Sequence, residues 1–134
     1  MLGHYLMFKR NCGEALAAYA EAFGVAIAEK QCYGDMPPTG GFTVAEEDKG
    51  LVLHSRLMID GTEIMCADST DRHQPGDNMY ITLTTTNAAQ VHQAWEVLKQ
   101  GGEVYMELTP TFFAAAHGSL RDRFGVNWMF TVPA

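Results

Sequence analysis

The same helical spacing of apolar residues occurs twice in this chain, once in each half. In both stretches the apolar residues recur at i, i+3, i+4 and i+7, which places them on one face of a helix. They are Leu16, Tyr19, Ala20 and Phe23 before Gly24, and Val91, Ala94, Trp95 and Leu98 before Gly101 and Gly102. A glycine after the last apolar residue is typical of a helix end. The repeat predicts that the two halves fold alike.

Strand patterns flank both predicted helices in the same order. One strand precedes each helix, over residues 4–9 and 79–84, and a hairpin closes each half, over residues 51–68 and 116–132. The shared order is βαβββ, which indicates an α+β fold. We therefore predict a single domain over residues 1–134, with one module at about 1–70 and a second at about 78–134.

The net charge and the cysteine content of the chain limit its possible binding partners and its cellular compartment. The 134 residues carry a formal net charge of −7, which repels nucleic acid and anionic membranes on average. No apolar run approaches the roughly 20 residues that span a bilayer. The three cysteines lack CxxC spacing, which favours a reducing compartment. We predict a cytoplasmic protein that does not bind nucleic acid or membranes.

Three blocks of sequence together resemble the PhnB-like branch of the vicinal oxygen chelate superfamily, which includes glyoxalase I, bleomycin-resistance proteins and extradiol dioxygenases. The blocks are His4-Tyr5-Leu6-Met7-Phe8 with the helix after it, His54-Ser55-Arg56-Leu57, and Asp122-Arg123-Phe124-Gly125-Val126-Asn127-Trp128-Met129. The resemblance implies the glyoxalase fold, in which two βαβββ modules form a curved mixed sheet around a groove. It also implies a homodimer, sometimes with exchanged modules. A filled α+β sandwich is the alternative.

The resemblance also locates the four positions at which metal-dependent relatives hold a divalent ion, usually with His, Gln or Glu. In this chain those positions carry His4, Cys66, Tyr80 and Met129. Hard divalent ions prefer oxygen and imidazole ligands, and only His4 suits them well. The sequence thus favours a protein with no metal and no cofactor. Copper(I) or zinc on His4, Cys66 and Met129 is the alternative.

Strand alternation and the resemblance together predict a ligand pocket that is mostly apolar. Alternation places His4, Leu6 and Phe8 on one face of their strand, and Met129 on the same face as Asn127 and Thr131. The predicted pocket residues are His4, Leu6, Phe8, Cys66, Tyr80, Phe112, Phe113 and Met129. Filling of a core by these side chains is the alternative.

Catalysis has less support from the residues. Cys66 is a candidate nucleophile only if His4 lies within hydrogen-bond reach. If Asp60 and Gly61 form a two-residue turn, Ser55 lies opposite Cys66 and His54 points to the other face, towards a helix or a second subunit. The role of His117 stays open.

We therefore predict a metal-free, homodimeric small-molecule-binding protein. The alternatives are a metal-dependent lyase, isomerase or dioxygenase with altered ligands, and a structural or interaction module. Relatives have been labelled methyltransferases, but no glycine-rich strand-to-helix turn suggests a nucleotide or S-adenosylmethionine site. The turn-rich stretch at residues 34–50 is a candidate lid. Residues 71–77, which include His73, form the predicted connector between modules.

Overall fold

The computed structural model of the chain describes residues 2–37, 43–70 and 74–134. Within these ranges the elements follow the predicted βαβββ order twice. They are β1 (His4–Phe8), α1 (Cys12–Phe23), β2 (Ile27–Cys32), β3 (Val52–Ile59), β4 (Thr62–Asp68), β5 (Ile81–Thr84), α2 (Ala88–Leu98), β6 (Glu103–Thr109), β7 (Ala114–Arg121) and β8 (Asn127–Pro133). Two short 3-10 helices, Tyr33–Asp35 and Glu46–Asp48, lie between β2 and β3. The predicted α+β class is confirmed.

The eight strands form two four-stranded mixed sheets with the same topology. The strand orders are β1-β4-β3-β2 and β5-β8-β7-β6. In each sheet the first strand pairs in parallel with the fourth strand of its half, and the other pairs are antiparallel. The chain separates into two compact units, residues 1–20 with 25–74 and residues 21–24 with 75–134. The last turn of α1 therefore groups with the second unit.

The turn between β3 and β4 contains two residues with positive φ. Asp60 has φ 51° and Gly61 has φ 78°, which is the conformation of a type I′ hairpin turn. Ile59 consequently pairs with Thr62, and Ser55 pairs with Cys66, as the sequence predicts.

The core of the first unit joins α1 to the sheet. The rings of Phe8 in β1 and Tyr19 in α1 lie 6.4 Å apart between centroids. The buried carboxylate of Asp68, at the end of β4, accepts hydrogen bonds of 2.9 Å from the backbone N–H groups of Cys12 and Val52. A carboxylate at this position satisfies a free N–H at the first turn of α1 and opposes the positive end of the helix dipole.

The core of the second unit is aromatic. Phe130 of β8 lies 6.1 Å from Trp95 of α2, and Trp128 lies 5.2 Å from Phe23, between ring centroids. Asn87 caps the start of α2, because its side chain accepts a hydrogen bond from the N–H of Gln90. The helical stripe predicted for α2 is buried.

A buried carboxylate also organises the turn between β7 and β8. One oxygen of Asp122 accepts hydrogen bonds from the N–H groups of Phe124 and Val126, at 2.9 and 3.0 Å. The other oxygen accepts from the indole N–H of Trp128 at 2.9 Å. The carboxylate therefore ties the turn to the aromatic core.

Parts of two predicted segments lie outside the described residues, namely 38–42 in the candidate lid and 71–73, with His73, in the connector. The described ends of the candidate lid are connected to each other, because Gly34 N–H donates to the Lys49 carbonyl at 2.9 Å. The lid and the connector stay predictions. In the described ranges α1 has 12 residues and α2 has 11, and neither is long and apolar enough to cross a membrane.

Candidate functional site

Strand pairing assigns each side chain to one of two faces of its sheet. In the first unit Leu6, Cys66 and Ser55 lie side by side on β1, β4 and β3. In the second unit Leu83, Phe130 and Gly118 form the equivalent row. Directly opposed residues point to the same side, so each row marks one face. We call this the helix face, because Cys66 and Phe130 contact α1 and α2 respectively, and we call the other side the open face.

Two predicted pocket residues, Phe8 and Cys66, lie on the helix face and are buried. Cys66 lies beside Cys12 of α1, and this neighbour together with burial holds the pKa of the Cys12 thiol far above its ordinary range. Phe8 and Cys66 therefore lie buried in this structure rather than exposed in an open groove, and their contact with a ligand stays a prediction. Alternation separates the two faces of a strand but does not indicate which face the helix covers.

His4 and Leu6 share that side of β1 but lie nearer its exposed end. His4 is exposed and pairs with Ile64, whereas the half-buried Leu6 pairs with Cys66. His4 is thus offset from Cys66 by two residues along the strand, or about 6.6 Å. The register does not form the Cys66–His4 pair that a thiol nucleophile would need.

On the open face of the second unit, Thr131 and Phe113 contact His117, and Met129 lies two residues before Thr131 on β8. Met129 is half-buried and lies between Thr82 and Ser119 on the neighbouring strands. Nδ1 of His117 is hydrogen-bonded to the Thr131 hydroxyl at 2.9 Å. The ring of Phe113 contacts the His117 imidazole edge to face, with centroids 4.9 Å apart.

An aromatic pair and an amide extend this open face. The Tyr105 hydroxyl donates to Oδ1 of Asn127 at 3.0 Å, and Nδ2 of Asn127 donates to the Met79 carbonyl at 3.2 Å. Tyr80, just before β5, contacts Tyr105 edge to face at 6.2 Å between centroids. Phe112 packs its edge on Phe113 but is otherwise fully exposed. Of the predicted pocket residues, Tyr80 and Phe113 are therefore held in place by neighbouring rings.

The open face of the first unit carries a tyrosine and a histidine. The Tyr5 hydroxyl lies 3.3 Å from Nδ1 of His54. This contact gives His54 a partner in its own sheet rather than on a helix, and its contact with a second subunit stays a prediction. Burial, reinforced by the nearby Tyr33, raises the pKa of the Tyr5 hydroxyl above its ordinary value. Arg56 on the same face is ion-paired with Glu29 at 2.9 Å.

His54 and His117 occupy equivalent positions in the two units. Each directly precedes the β3 or β7 residue of the helix-face row, Ser55 or Gly118. Sequence reasoning missed this relationship, although a signal was present: a His-x-x-Leu pattern recurs in the third strand of each half, ending at Leu57 and Leu120. Each open face thus presents one imidazole.

The four positions matched to metal ligands do not suit a hard divalent ion. Cys66 is buried against α1, and Tyr80 contacts Tyr105. In the paired registers Met129 is equivalent to Met65 rather than to Cys66, because Met65 directly precedes Cys66 and Met129 directly precedes the equivalent residue, Phe130. Within residues 2–37, 43–70 and 74–134, no three His, Cys, Asp or Glu side chains are grouped to hold a metal. Thioether, phenol and thiol groups are poor ligands for Mg²⁺ or Mn²⁺.

Comparison with known proteins places the chain in a family. Residues 2–131 match the family described as 3-demethylubiquinone-9 3-methyltransferase. Protein YjdN of Escherichia coli K12 is 26% identical over 98% of this chain and 94% of its own length. The crystal structure of PA1353 from Pseudomonas aeruginosa is 31% identical, covers 98% of this chain and 96% of that one, and superposes with a TM-score of 0.84. A Bacillus cereus PhnB protein, described as a putative 3-demethylubiquinone-9 3-methyltransferase, is 26% identical, covers 97% of each chain and has a TM-score of 0.78. The chain therefore belongs to the family described as 3-demethylubiquinone-9 3-methyltransferase, which includes the PhnB protein of Bacillus cereus.

Proposed function

We propose that this protein binds a small, partly aromatic molecule on the open face of its second unit, without a metal ion. The observation that carries the proposal is the cluster of Phe113, His117 and Met129, which the helix does not cover. A ring edge, an imidazole and a thioether together provide apolar contact and one orienting polar group. Small-molecule sites commonly have this composition.

The polar groups of the cluster support binding in a defined orientation. Thr131 engages Nδ1 of His117, which leaves Nε2 for a ligand hydrogen bond. Tyr105 and the Met79 carbonyl hold the Asn127 amide in one orientation. Met129 has a flexible, polarizable side chain that adapts to the shape of an aromatic ligand. A ligand would therefore meet fixed polar groups beside an adaptable apolar surface.

The equivalent face of the first unit supports the same kind of contact. Tyr5 and His54 there are linked at 3.3 Å, and both are accessible in part. An imidazole beside an aromatic ring recurs on the two open faces, with Tyr5 near His54 and Phe113 near His117. This repetition is expected if both faces contribute to ligand recognition.

Methyl transfer, which the family description names, is not part of the proposal. A methyl donor of the nucleoside class is commonly held by a glycine-rich turn between a strand and a helix. The connections from strand to helix contain no glycine in this chain. They are Lys9, Arg10 and Asn11 before α1, and Thr85, Thr86 and Asn87 before α2. Neither stretch is glycine-rich, so both agree better with ligand binding than with methyl transfer.

Assembly and location belong to the same proposal. We infer a cytoplasmic homodimer, as expected from the family resemblance and from the two exposed phenylalanines, Phe112 and Phe113. Sedimentation at micromolar concentration tests the assembly. A monomer at every concentration would count against the dimer without affecting the ligand site.

The ligand site is tested by NMR of protein with ¹³C-labelled methionine methyl groups. The chain has eight methionines, so the probe covers many surfaces at once. Indole and phenol serve as neutral aromatic probes. We expect a saturable shift of the Met129 methyl resonance, which Phe113→Ala and His117→Ala weaken severalfold.

A matched control is Leu2→Ala, because Leu2 is an apolar residue of the first unit that is 97% exposed. This variant should leave both titrations unchanged. A Met129 resonance that does not respond to either probe, or that responds equally in Phe113→Ala protein, would refute the proposed site.

A further inference from the structure

A second candidate site lies in the second unit, where the turn after α2 meets the turn between β7 and β8. An open cavity of about 420 Å³ is lined there by Arg121, Arg123, Glu103 and three glycines, with Asp122, Phe124 and Pro75. The three glycines are Gly101, Gly102 and Gly125. None of the residues proposed above to contact the aromatic ligand lines this cavity.

The two arginines of the cavity differ from the others that the structure describes. Arg10 is ion-paired with Asp48 at 2.6 Å, and Arg56 with Glu29 and Glu63. Arg121 and Arg123 have no carboxylate within 4.0 Å in the described part of the chain. In a chain with a net charge of −7, two arginines without an ion pair in one cavity are unexpected if their role is only structural.

The neighbouring carboxylate of Asp122 is directed away from these arginines. Its oxygens accept hydrogen bonds from Phe124 N–H, Val126 N–H and the Trp128 indole, so they are used inside the turn. The Arg123 guanidinium lies 4.4 Å from the centre of the Phe124 ring, which holds it by a cation–π contact. The positive charge is therefore positioned at the cavity before any ligand arrives.

The glycines keep the backbone of the cavity accessible. Gly101 has φ 70° and Gly125 has φ 92°, a conformation that other residues rarely adopt. A Cβ atom on Gly125 would lie 3.0 Å from Pro75 Cγ, and one on Gly101 would lie 3.3 Å from Arg123 Cδ. A larger residue at either position would press on the cavity wall.

We propose that this cavity binds the oxyanion group of a small acidic molecule, a phosphate or a carboxylate, through Arg121 and Arg123. A guanidinium donates two parallel hydrogen bonds to either group, which gives strong and directional binding. Glu103 on the rim repels the same anion and limits the affinity. The site is independent of the aromatic-ligand site and requires no metal.

The proposal is tested by amide NMR of the full chain at low ionic strength, with inorganic phosphate and acetate as separate probes. We expect saturable shifts of the Gly101, Gly102 and Gly125 amides for at least one probe, with a Kd of about a few millimolar. Arg121→Gln and Arg123→Gln should each weaken binding about tenfold. Glu103→Gln should tighten it severalfold, because the rim loses a negative charge.

Arg56→Gln is the matched control, because Arg56 is an exposed arginine of the first unit that is already ion-paired. It should leave the affinity unchanged. Arg121→Lys and Arg123→Lys keep the charge and the aliphatic stem, and they serve if a glutamine variant does not fold. Saturation by phosphate alone identifies a phosphate-bearing ligand, and saturation by acetate alone identifies a carboxylate. The proposal fails if neither probe saturates, or if folded arginine variants bind as tightly as the natural protein.

Discussion

The hydroxyl of Tyr5 lies 3.3 Å from Nδ1 of His54, and this contact joins two strands that are not adjacent in their sheet. Tyr5 belongs to β1 and His54 to β3, with β4 between them. The contact lies on the open face, opposite the side covered by α1. It gives the first unit a polar link that no backbone hydrogen bond between β1 and β3 could supply.

The stability of the protein should fall at high pH partly because of Tyr5. Its pKa is raised in the folded state, so the unfolded chain releases this proton first, near pH 10. Stability is then fully present below pH 10 and declines as the pH rises further. Urea unfolding at about pH 9 and 11 should show a larger loss for the natural protein than for Tyr5→Phe. Equal losses would contradict the raised pKa.

Two of the three cysteines should be inert in the folded protein. Cys12 and Cys66 are fully buried, and the high pKa of Cys12 keeps its thiol protonated. Cys32 is only half-buried. A chromogenic disulfide reagent should therefore titrate one thiol quickly and the other two only as the chain unfolds. Cys32→Ser should abolish the fast phase, and a fast phase that persists would place Cys12 or Cys66 at the surface.

Replacing Asp122 by asparagine should destabilise the second unit. Asparagine can keep one acceptor oxygen, but its NH₂ group would face the indole N–H of Trp128. We expect a loss of about 1.5–3 kcal/mol, the usual range for hydrogen bonds to a charged group. Tryptophan fluorescence during urea unfolding measures it. Asp60→Asn is the control and should change stability by less than about 0.5 kcal/mol, because asparagine tolerates the positive φ of that exposed turn.

Gly118→Ala and Gly13→Ala should have opposite effects. A Cβ atom on Gly118 would lie 2.8 Å from Leu108 Cα and 2.9 Å from its backbone nitrogen, so β6 would have to shift. We expect this substitution to cost about 1–3 kcal/mol. Gly13 lies in α1 with nothing within 4 Å of such an atom, and alanine there should add up to about 1 kcal/mol. Thermal unfolding of both variants decides the comparison, and a stable Gly118→Ala protein would mean that β6 moves easily.

Protein purified without chelators should contain far less than one equivalent of metal per chain. The matched ligand positions offer one imidazole with a buried thiol, a phenol and a thioether, which hard divalent ions bind poorly. Elemental analysis by mass spectrometry measures the content. Near-stoichiometric metal that disappears in His4→Ala or Cys66→Ala protein would instead support the metal-dependent alternative.

Local features of the fold were predictable from sequence because neighbouring residues determine them. The turn at Asp60 and Gly61 needs only two positive φ angles, and the Asn87 cap needs only an amide at the start of α2. The strand before α2 begins at Ile81 rather than Met79, and the Met79 carbonyl accepts a hydrogen bond from the Asn127 side chain. That contact spans 48 positions in the chain, and no local pattern indicates it.

Which face of each sheet is covered by a helix depends on tertiary packing, and this was harder to predict from sequence. The family resemblance matched Cys66 and Met129 to equivalent ligand positions, yet one is buried beneath α1 and the other is on the open face. The irregular pairing of β6 with β7, next to Gly118, also has no local signal. The recurring His-x-x-Leu pattern would have located the open faces in both halves.

The hairpin between β3 and β4 also limits which sequence changes the protein can accept during evolution. One extra residue between Ile59 and Thr62 would slide β4 by a single step and exchange its two sides. Ile64 and Cys66 would then meet water, while Met65 would be forced beneath α1. Substitutions can therefore remodel the exposed surface freely, but the length of this short connection must stay constant.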